Sequence, residues 1–360
     1  MSNPGTLQES SPSMDAKAQA SKKRSRSRSE SPTQGERPLK KTTTTTKPRE
    51  KQPVKFLIIS DTHDNDDNDD DDDKSSFNPP TTPVDVVLHC GDLTENGSLA
   101  SLGKAITKLA SIPAELHLMI AGNHETTLDE RYYLSEGGSP ATHAAALQLV
   151  TSTAAQQGVT YLPEGTHTFT LQSGATFTIY ASPWTPQYGQ SAFQYPSAHD
   201  RFNPSTTTPA WATNVATPSS TVLEGVDIVM THGPPKYLLD DTGAMGAGGG
   251  CEHLRRAVCR VRPRLCCFGH VHGGYGAQRV YFEDGAGDGG GDGGDDDDGM
   301  VCLPREFVGK NQARRKGYAE LSPGSREAMR EGGQTLMVNA AVMDGEGRAT
   351  NAPWMVELEL

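Results

Sequence analysis

The sequence predicts an α/β domain with mixed sheets, preceded by a basic tail. Two observations favour this fold class: apolar, β-branched runs recur along the chain, and helical patterns alternate with them. Near-continuous apolar runs are typical of strands that are buried on both faces. The predicted strands lie at 54–60, 84–90, 116–122, 226–232, 264–270 and 335–341.

Helices and a hairpin are predicted between these strands. Residues 98–112 repeat an apolar residue at every third or fourth position, as on one face of a helix. Residues 142–157 are rich in Ala, a strong helix former, and 253–261 give a third helical pattern. Residues 167–182 alternate on both sides of a Ser-Gly turn, which indicates a β-hairpin.

The domain boundary is predicted near residue 53. Residues 1–53 contain few large apolar side chains and are expected to be disordered, because they cannot bury enough surface to offset the entropy of ordering. The domain then covers 54–360, with low-complexity insertions near 64–83, 203–221 and 284–333. Rich in Gly, Pro, Thr or Asp, these insertions are predicted to be loops.

The net charge of −12 describes these appendages more than the domain. Eight Asp fall within 64–73 and seven within 284–298, whereas 1–53 carry 12 Lys or Arg against five acidic residues. The remainder is only mildly acidic, so the total charge says little about the partner of the folded part.

Composition excludes several classes of protein. No stretch approaches the ~18–20 consecutive apolar residues of a membrane span, and the N-terminus lacks the apolar segment of a secretory signal. Six Cys without a CxxC pair suit neither a disulfide scaffold nor a zinc knuckle. The adjacent Cys266 and Cys267 are expected to be buried free thiols. A reducing compartment follows, cytoplasmic and/or nuclear.

The basic cluster KKRSRSRSESP at 22–32 leaves its role open. Nuclear import, an RNA contact and a phosphorylation switch are functional interpretations, and a solvated tail is the plainer one. Any nucleic-acid contact would rest on this tail alone. The sequence does not specify an oligomeric state.

Five of the predicted strands end in polar residues that are good metal ligands. Because ligands of open α/β sheets bind outside the carboxyl ends of strands, we expect these side chains to share one rim. The candidates are Asp61, His63, Asp92, Asn123, His124, His232, His270 and His272.

The donor types narrow the choice of metal. His nitrogen with Asp and Asn oxygen, and without thiolate, favours Mn, Fe or catalytic Zn over Ca. Seven candidate ligands, which are all of these residues except His124, exceed what one ion needs when water and substrate also bind. Two ions sharing a bridging carboxylate fit better, because such a pair can clamp a phosphoryl group.

These motifs resemble, in order and spacing, the five-motif set of the calcineurin-like metallophosphoesterase superfamily. Their surroundings, such as THGPP and GHVHGGYG, are similar to its small stand-alone branch, which is related to cyclic-nucleotide phosphodiesterases. The resemblance covers roughly 54–283, with the strands at 335–341 and 355–360. The motifs are Asp61-x-His63, Gly91-Asp92, Gly122-Asn123-His124-Glu125, His232 and Gly269-His270-x-His272.

The resemblance implies a fold and a mechanism. The fold would be two mixed β-sheets packed face to face and flanked by helices, with the site at the rim formed by the strand C-termini. A metal-bridging hydroxide would attack phosphorus in line, and His124 would act as a general acid or an electrostatic stabiliser. The first ion would be held by Asp61, His63 and His272, the second by Asn123, His232 and His270, and Asp92 would bridge them.

The implied substrate is a phosphate ester, with a nucleotide as one candidate and a phosphodiester favoured over a phosphomonoester. The alternative is a module that keeps the fold for binding or scaffolding with little turnover. Among neighbouring residues, His89 is expected to pack in the core, and Glu125 to orient His124 or to cap the next segment. Trp184 and Tyr188 would either stack on a nucleobase or pack within their loop.

Overall fold

The computed structural model describes residues 51–64, 80–242, 248–283 and 299–360. The basic cluster at 22–32 and most of both Asp-rich tracts lie outside these ranges, so the predictions made for them are not addressed by the structure. Among the described helices, none combines the length and apolar character needed to span a membrane.

Seventeen β-strands and seven α-helices form within the described ranges. The strands are β1 (Pro53–Ile59), β2 (Val84–His89), β3 (Ala114–Met119), β4 (Val159–Tyr161), β5 (Gly165–Thr170), β6 (Thr176–Ser182), β7 (Thr185–Pro186), β8 (Gln194–Tyr195), β9 (His199–Asp200), β10 (Thr213–Asn214), β11 (Ile228–Thr231), β12 (Leu265–Phe268), β13 (Gly276–Phe282), β14 (Met300–Arg305), β15 (Ala319–Glu320), β16 (Gln334–Asn339) and β17 (Trp354–Glu359). The helices are α1 (Leu99–Ala110), α2 (Glu130–Ser135), α3 (Pro140–Gln148), α4 (Ala154–Gln156), α5 (Glu252–Val261), α6 (Lys310–Lys316) and α7 (Pro323–Glu331). A π-helical turn, Leu149–Thr153, joins α3 to α4, and 3-10 turns lie at Thr126–Leu128 and His272–Gly274.

Two large mixed sheets carry the fold. In the first, with strand order β15-β17-β1-β2-β3-β4, the strands β1 to β4 run parallel and β17 pairs antiparallel with β1. In the second, with order β14-β13-β16-β12-β11-β6-β5, four central parallel strands are flanked by the antiparallel β13 and β5. Every strand predicted from an apolar run is present, and so is the predicted hairpin, as β5 and β6.

The alternation of side chains along the strands builds four layers. Phe56 of β1 faces the second sheet and meets Phe177 edge to face, with ring centroids 5.6 Å apart, whereas Leu57 points to the helices that cover the first sheet. In β12, Cys267 faces the layer between the sheets and Cys266 faces α5. Both are buried free thiols, as predicted. The fold is therefore the predicted α-β-β-α sandwich.

Local sequence signals set the ends of the helices. Ser98 caps α1 by accepting from the Ser101 amide, and the apolar face of that helix is buried against the first sheet. Cys251 plays the same part for α5, where its sulfur accepts from the Leu254 amide at 3.2 Å. The three predicted helical segments are confirmed.

The loop prediction near 284–333 is wrong for its later part, because residues 300–331 hold β14, α6, β15 and α7. Helix α7 begins with a Ser322 cap followed by Pro323, and its Met329 is buried in the core between the sheets. Ala313 of α6 is buried in the same core. These helices contain few apolar residues. Among their Gly and charged residues, no helical repeat of apolar positions could be recognised in the sequence.

Candidate metal centre

The structure brings all eight predicted site residues to one rim, where strands of both sheets end. The turns after β1, β2 and β3 supply residues from the first sheet, and those after β11 and β12 supply residues from the second. Three groups have donor atoms within 4.8 Å of one another: Asp61, His63 and His272; His63, Asp92 and His124; and Asp92, His232 and His270.

Four of these residues adopt a left-handed backbone conformation, with φ of 54° at Asp61, 43° at His63, 52° at Asp92 and 65° at His270. Such a conformation costs a non-Gly residue about 1–3 kcal/mol and persists only where the surroundings impose it. It turns the chain sharply at the strand end and directs the side chain into the rim. Backbone strain at several neighbouring positions is typical of a functional site.

Asp61 joins the two sheets at the rim. Its buried carboxylate accepts from the His270 amide at 3.0 and 2.9 Å. Its Oδ1 also lies 3.3 Å from His272 Nε2 and 3.8 Å from His63 Nε2. One carboxylate in the turn after β1 thus faces His63 of the same turn and two residues, His270 and His272, that follow β12 of the other sheet.

Asp92 lies between the other groups. Its Oδ2 is 3.2 Å from His232 Nε2 and 3.7 Å from His63 Nε2, while its Oδ1 accepts from the His124 amide at 2.9 Å. Asn123 completes this side, with Oδ1 2.9 Å from His232 Nε2. Asp92 is therefore the carboxylate shared by two of the ligand-capable groups.

Outer hydrogen bonds fix the orientation of the histidine rings. His232 Nδ1 lies 2.9 Å from the carbonyl oxygen of Cys90, and His272 Nδ1 lies 3.2 Å from that of Asp344. Because a carbonyl only accepts, each Nδ1 carries the proton and each Nε2 faces the centre. A metal-binding imidazole commonly has such an outer partner.

The charges of the rim are coupled. Burial lowers the pKa of His63, but the carboxylates of Asp61 and Asp92 outweigh it and raise the pKa to about 9. The same two carboxylates overcome burial at His232, whose pKa also rises to about 9. Burial and the charge of His232 lower the pKa of His270 to about 3. Protonated histidines can thus neutralise the negative charge of the carboxylates. A bound cation would displace these protons and neutralise the same charge.

His63 indicates that the rim suits a metal. Both of its ring nitrogens are buried without a hydrogen bond of acceptable geometry, although Nδ1 lies 3.2 Å from Glu95 Oε2. Buried polar atoms in folded proteins almost always have a partner. A cation between Asp61, His63 and His272 would give His63 Nε2 a partner. The nitrogen and oxygen donors of these three residues suit transition metals.

Glu125 has a structural role that the sequence did not specify. Its buried carboxylate accepts from the amides of Asp92 at 2.9 Å, Thr94 at 2.9 Å and Gly122 at 2.7 Å, and so ties the turn after β2 to the turn after β3. It makes no side-chain cap on the following 3-10 turn, so that part of the expectation is wrong. Burial and the Asp92 carboxylate raise the pKa of Glu125 to about 7.

His89 is buried, as expected, but it also supports the metal-ligand turn. Its Nε2 lies 3.1 Å from Thr62 Oγ1, and that hydroxyl donates to the Leu93 carbonyl at 3.2 Å. Burial lowers the pKa of His89 to about 4, which keeps the ring neutral. It belongs to none of the three ligand-capable groups.

Tyr188 and Trp184 have different surroundings in the structure. Tyr188 is 62% exposed and lies edge-on to His270, with ring centroids 4.9 Å apart. Trp184 is half-buried, packs against Phe193 at 5.5 Å and lies under the Arg201 guanidinium at 4.3 Å. Of the two aromatic residues, Tyr188 is the one that borders the candidate site.

Glu95 and Ser191 also belong to the site, and the sequence prediction missed both. Glu95 lies three residues after Asp92, and its backbone carbonyl accepts from His124 Nδ1 at 2.7 Å. Its place beside a predicted ligand was a usable signal. Ser191 contacts Asn123 across 68 residues, a separation at which the sequence carries no signal.

The family model for calcineurin-like phosphoesterase matches residues 54–274. The chain therefore belongs to the calcineurin-like phosphoesterase family, as the motifs predicted.

Two curated relatives are similar over most of the same region. Human metallophosphoesterase domain-containing protein 1 is 31% identical over 237 residues, which is 62% of this chain and 62% of that protein. An Emericella nidulans protein named probable rhamnogalacturonate lyase C is 33% identical over 232 residues, 64% of this chain and 18% of that protein. The chain thus matches less than two thirds of the length of either relative.

Solved structures share lower similarity. The purple acid phosphatase of yellow lupin is 13% identical with a TM-score of 0.34, over 80% of this chain and 44% of that one. The phosphopantetheinyl hydrolase of Mycobacterium tuberculosis is 15% identical with a TM-score of 0.37, over 64% of this chain and 86% of that one.

Proposed function

We propose that this chain hydrolyses phosphate esters with two transition-metal ions, Mn, Fe or Zn, bound at the rim. The observation that carries the proposal is the position of Asp92. Its Oδ2 lies 3.7 Å from Nε2 of His63, a ligand of the first proposed ion, and 3.2 Å from Nε2 of His232, a ligand of the second. The first ion would be held by Asp61, His63 and His272, the second by Asn123, His232 and His270, and Asp92 would contact both. Two such ions, when bound, clamp phosphoryl oxygens and lower the pKa of a water molecule.

The protein's contribution is a rigid, preorganised rim. The Asp61 carboxylate is held by the His270 amide, and the Asp92 carboxylate by the His124 amide. Fixed donors need no reorganisation when charge moves during the reaction, which is the main electrostatic advantage of an enzyme site. A phosphate ester is the substrate class that this arrangement fits.

His124 is placed to serve the leaving group. Its ring lies 4.6 Å from that of His63, and its side chain is 32% exposed, so it stands between the buried donors and solvent. Because Nδ1 donates to the Glu95 carbonyl, Nε2 is the atom that faces a bound ester. In the imidazolium form both ring nitrogens carry a proton, so Nδ1 would stay bonded to the Glu95 carbonyl while Nε2 serves as the donor. As the bond from phosphorus to the leaving oxygen breaks and water forms the new one, Nε2 would give its proton to that oxygen.

A phosphodiester is the favoured substrate. The position of Tyr188 favours a diester that carries a planar organic group. Its exposed ring borders His270, where an aromatic group such as a nucleobase would stack. A nucleotide is one candidate that meets this requirement.

The test combines metal content with turnover. Purified full-length protein would be examined by elemental analysis and then assayed on bis(p-nitrophenyl) phosphate and p-nitrophenyl phosphate. We expect two transition-metal ions per chain and faster cleavage of the diester. His124→Ala should lower kcat about 10²–10⁴-fold while the bound metal remains. His232→Ala should lose metal as well as activity.

His167, on β5 and outside the rim, provides the matched control, since His167→Ala should keep both metal and activity. Activity that survives both His124→Ala and His232→Ala would show that the active site is assigned wrongly. Metal binding without turnover of either ester would favour the alternative of a binding or scaffold module.

A further inference from the structure

Ser191 makes two hydrogen bonds to Asn123, one to its backbone and one to its side chain. The Ser191 hydroxyl donates to the Asn123 carbonyl at 2.8 Å, and the Asn123 Nδ2 donates to Ser191 Oγ at 3.3 Å. A hydroxyl has a single proton, which the carbonyl takes, so Oγ faces the amide as an acceptor. Only the nitrogen end of the Asn123 side chain can satisfy that acceptor.

The opposite end of the amide faces the metal rim. Asn123 Oδ1 lies 2.9 Å from His232 Nε2, and the residue is buried. An amide binds a cation through its oxygen, because its nitrogen presents hydrogens. If the side chain were reversed, those hydrogens would point at the position that a cation would occupy. The orientation of this one amide therefore decides whether Asn123 can act as a ligand.

The segment that carries Ser191 is firmly anchored. It connects β7 to β8, which pair with each other, and the Gln187 amide donates to the Tyr195 carbonyl at 2.8 Å. On the other side of Ser191, the Phe193 amide donates to Asp129 Oδ2 at 2.8 Å. The hydroxyl thus reaches Asn123 from a fixed support.

We propose that Ser191 is a positioning residue that holds the Asn123 amide with its oxygen toward the rim and so sets the affinity of one of the two metal ions. The inference rests on the proposed function, since it requires that Asn123 bind a metal. Outer partners of metal ligands commonly contribute about 10–100-fold in affinity. The group formed by Asp61, His63 and His272 has its own outer contacts, so its ion should be unaffected.

The test measures metal binding directly. Mn²⁺ would be titrated by calorimetry into chelator-treated wild-type protein and into Ser191→Ala. We expect two sites in the wild type and, in Ser191→Ala, one unchanged site and one weakened about 10–100-fold. Ser111→Ala, which removes an exposed hydroxyl bonded to the Lys108 carbonyl, is the matched control and should bind as the wild type does.

A second pair of variants separates loss of the hydroxyl from a folding defect. Ser191→Thr keeps the hydroxyl, and Ser191→Val has nearly the shape of the Thr variant but lacks the hydroxyl. Only the Thr variant should therefore retain both metal affinities. Two wild-type affinities in both the Ala and Val variants would overturn the role of Ser191. Absence of Mn²⁺ binding by the wild type would instead overturn the proposed function.

Discussion

The backbone carbonyl of Glu95 accepts a hydrogen bond from His124 Nδ1 at 2.7 Å. This bond keeps a proton on Nδ1 and leaves Nε2 directed at the rim. The carboxylate of the same residue lies 3.2 Å from His63 Nδ1, on the far side of that ring from the centre. Glu95 thus contacts a predicted metal ligand through its side chain and the predicted general acid through its backbone.

Glu95→Gln separates these two contacts, because it removes the carboxylate and keeps the carbonyl. We expect a modest loss of metal affinity, up to about 10-fold, since the outer charge beside His63 disappears and the side chain is 64% exposed. At saturating metal, kcat should stay near the wild-type value, because His124 keeps its hydrogen bond to the Glu95 carbonyl. Metal titration and kcat of the metal-loaded variant would check this, and a large fall in kcat would contradict the division of roles.

Glu125 is expected to be important for stability rather than for turnover itself. Glu125→Ala would leave the buried amides of Asp92, Thr94 and Gly122 without an acceptor, at a cost of about 1–3 kcal/mol each. We therefore expect a loss of several kcal/mol in the free energy of unfolding, measured with urea, together with weaker metal binding.

Glu331→Ala at the exposed end of α7 is the control for Glu125 and should change stability little. An unfolding free energy of Glu125→Ala that equals that of the control would show that Glu125 does not hold the two turns together.

The Asp-rich tract that follows His63 in the sequence should affect anionic substrates. Seven Asp lie within 65–73, directly after Asp64, whose carboxylate accepts from the Glu95 amide at 2.9 Å. Exchange of 65–73 for Gly and Ser should lower KM for a charged ester and make KM less dependent on salt, because carboxylates repel anions and salt screens that repulsion.

The second tract offers a matched control for this exchange. Replacing 288–298 removes six Asp from the stretch between β13 and β14. KM and its salt dependence should then stay as in the wild type. An equal change from both replacements would mean that net charge alone is responsible, and no change from either would contradict the prediction.

The sequence was most informative where a residue's role follows from its place on a strand. Asp61 and Asp92 follow buried apolar runs that form the neighbouring parallel strands β1 and β2, so their meeting at one rim could be predicted from the direction of the strands. The outer contacts could not be predicted in this way. The Asp344 carbonyl accepts from His272, which lies 72 residues away in the sequence. Because every residue has a backbone carbonyl, the amino-acid type at 344 does not reveal this contact.

The helices α6 and α7 were missed for a different reason. Their buried residues, such as Ala313 and Met329, are too few to give a clear helical period among Gly and charged neighbours. Their burial depends on the fit of short helices against a finished core, which local composition does not encode.

The central claim is a pair of metal ions that share Asp92. The most direct measurement is anomalous diffraction from crystals of the Mn²⁺-loaded protein. The account predicts two anomalous peaks about 3.5–4 Å apart, each within bonding distance of the Asp92 carboxylate. A single peak, or two peaks of which only one touches Asp92, would contradict it.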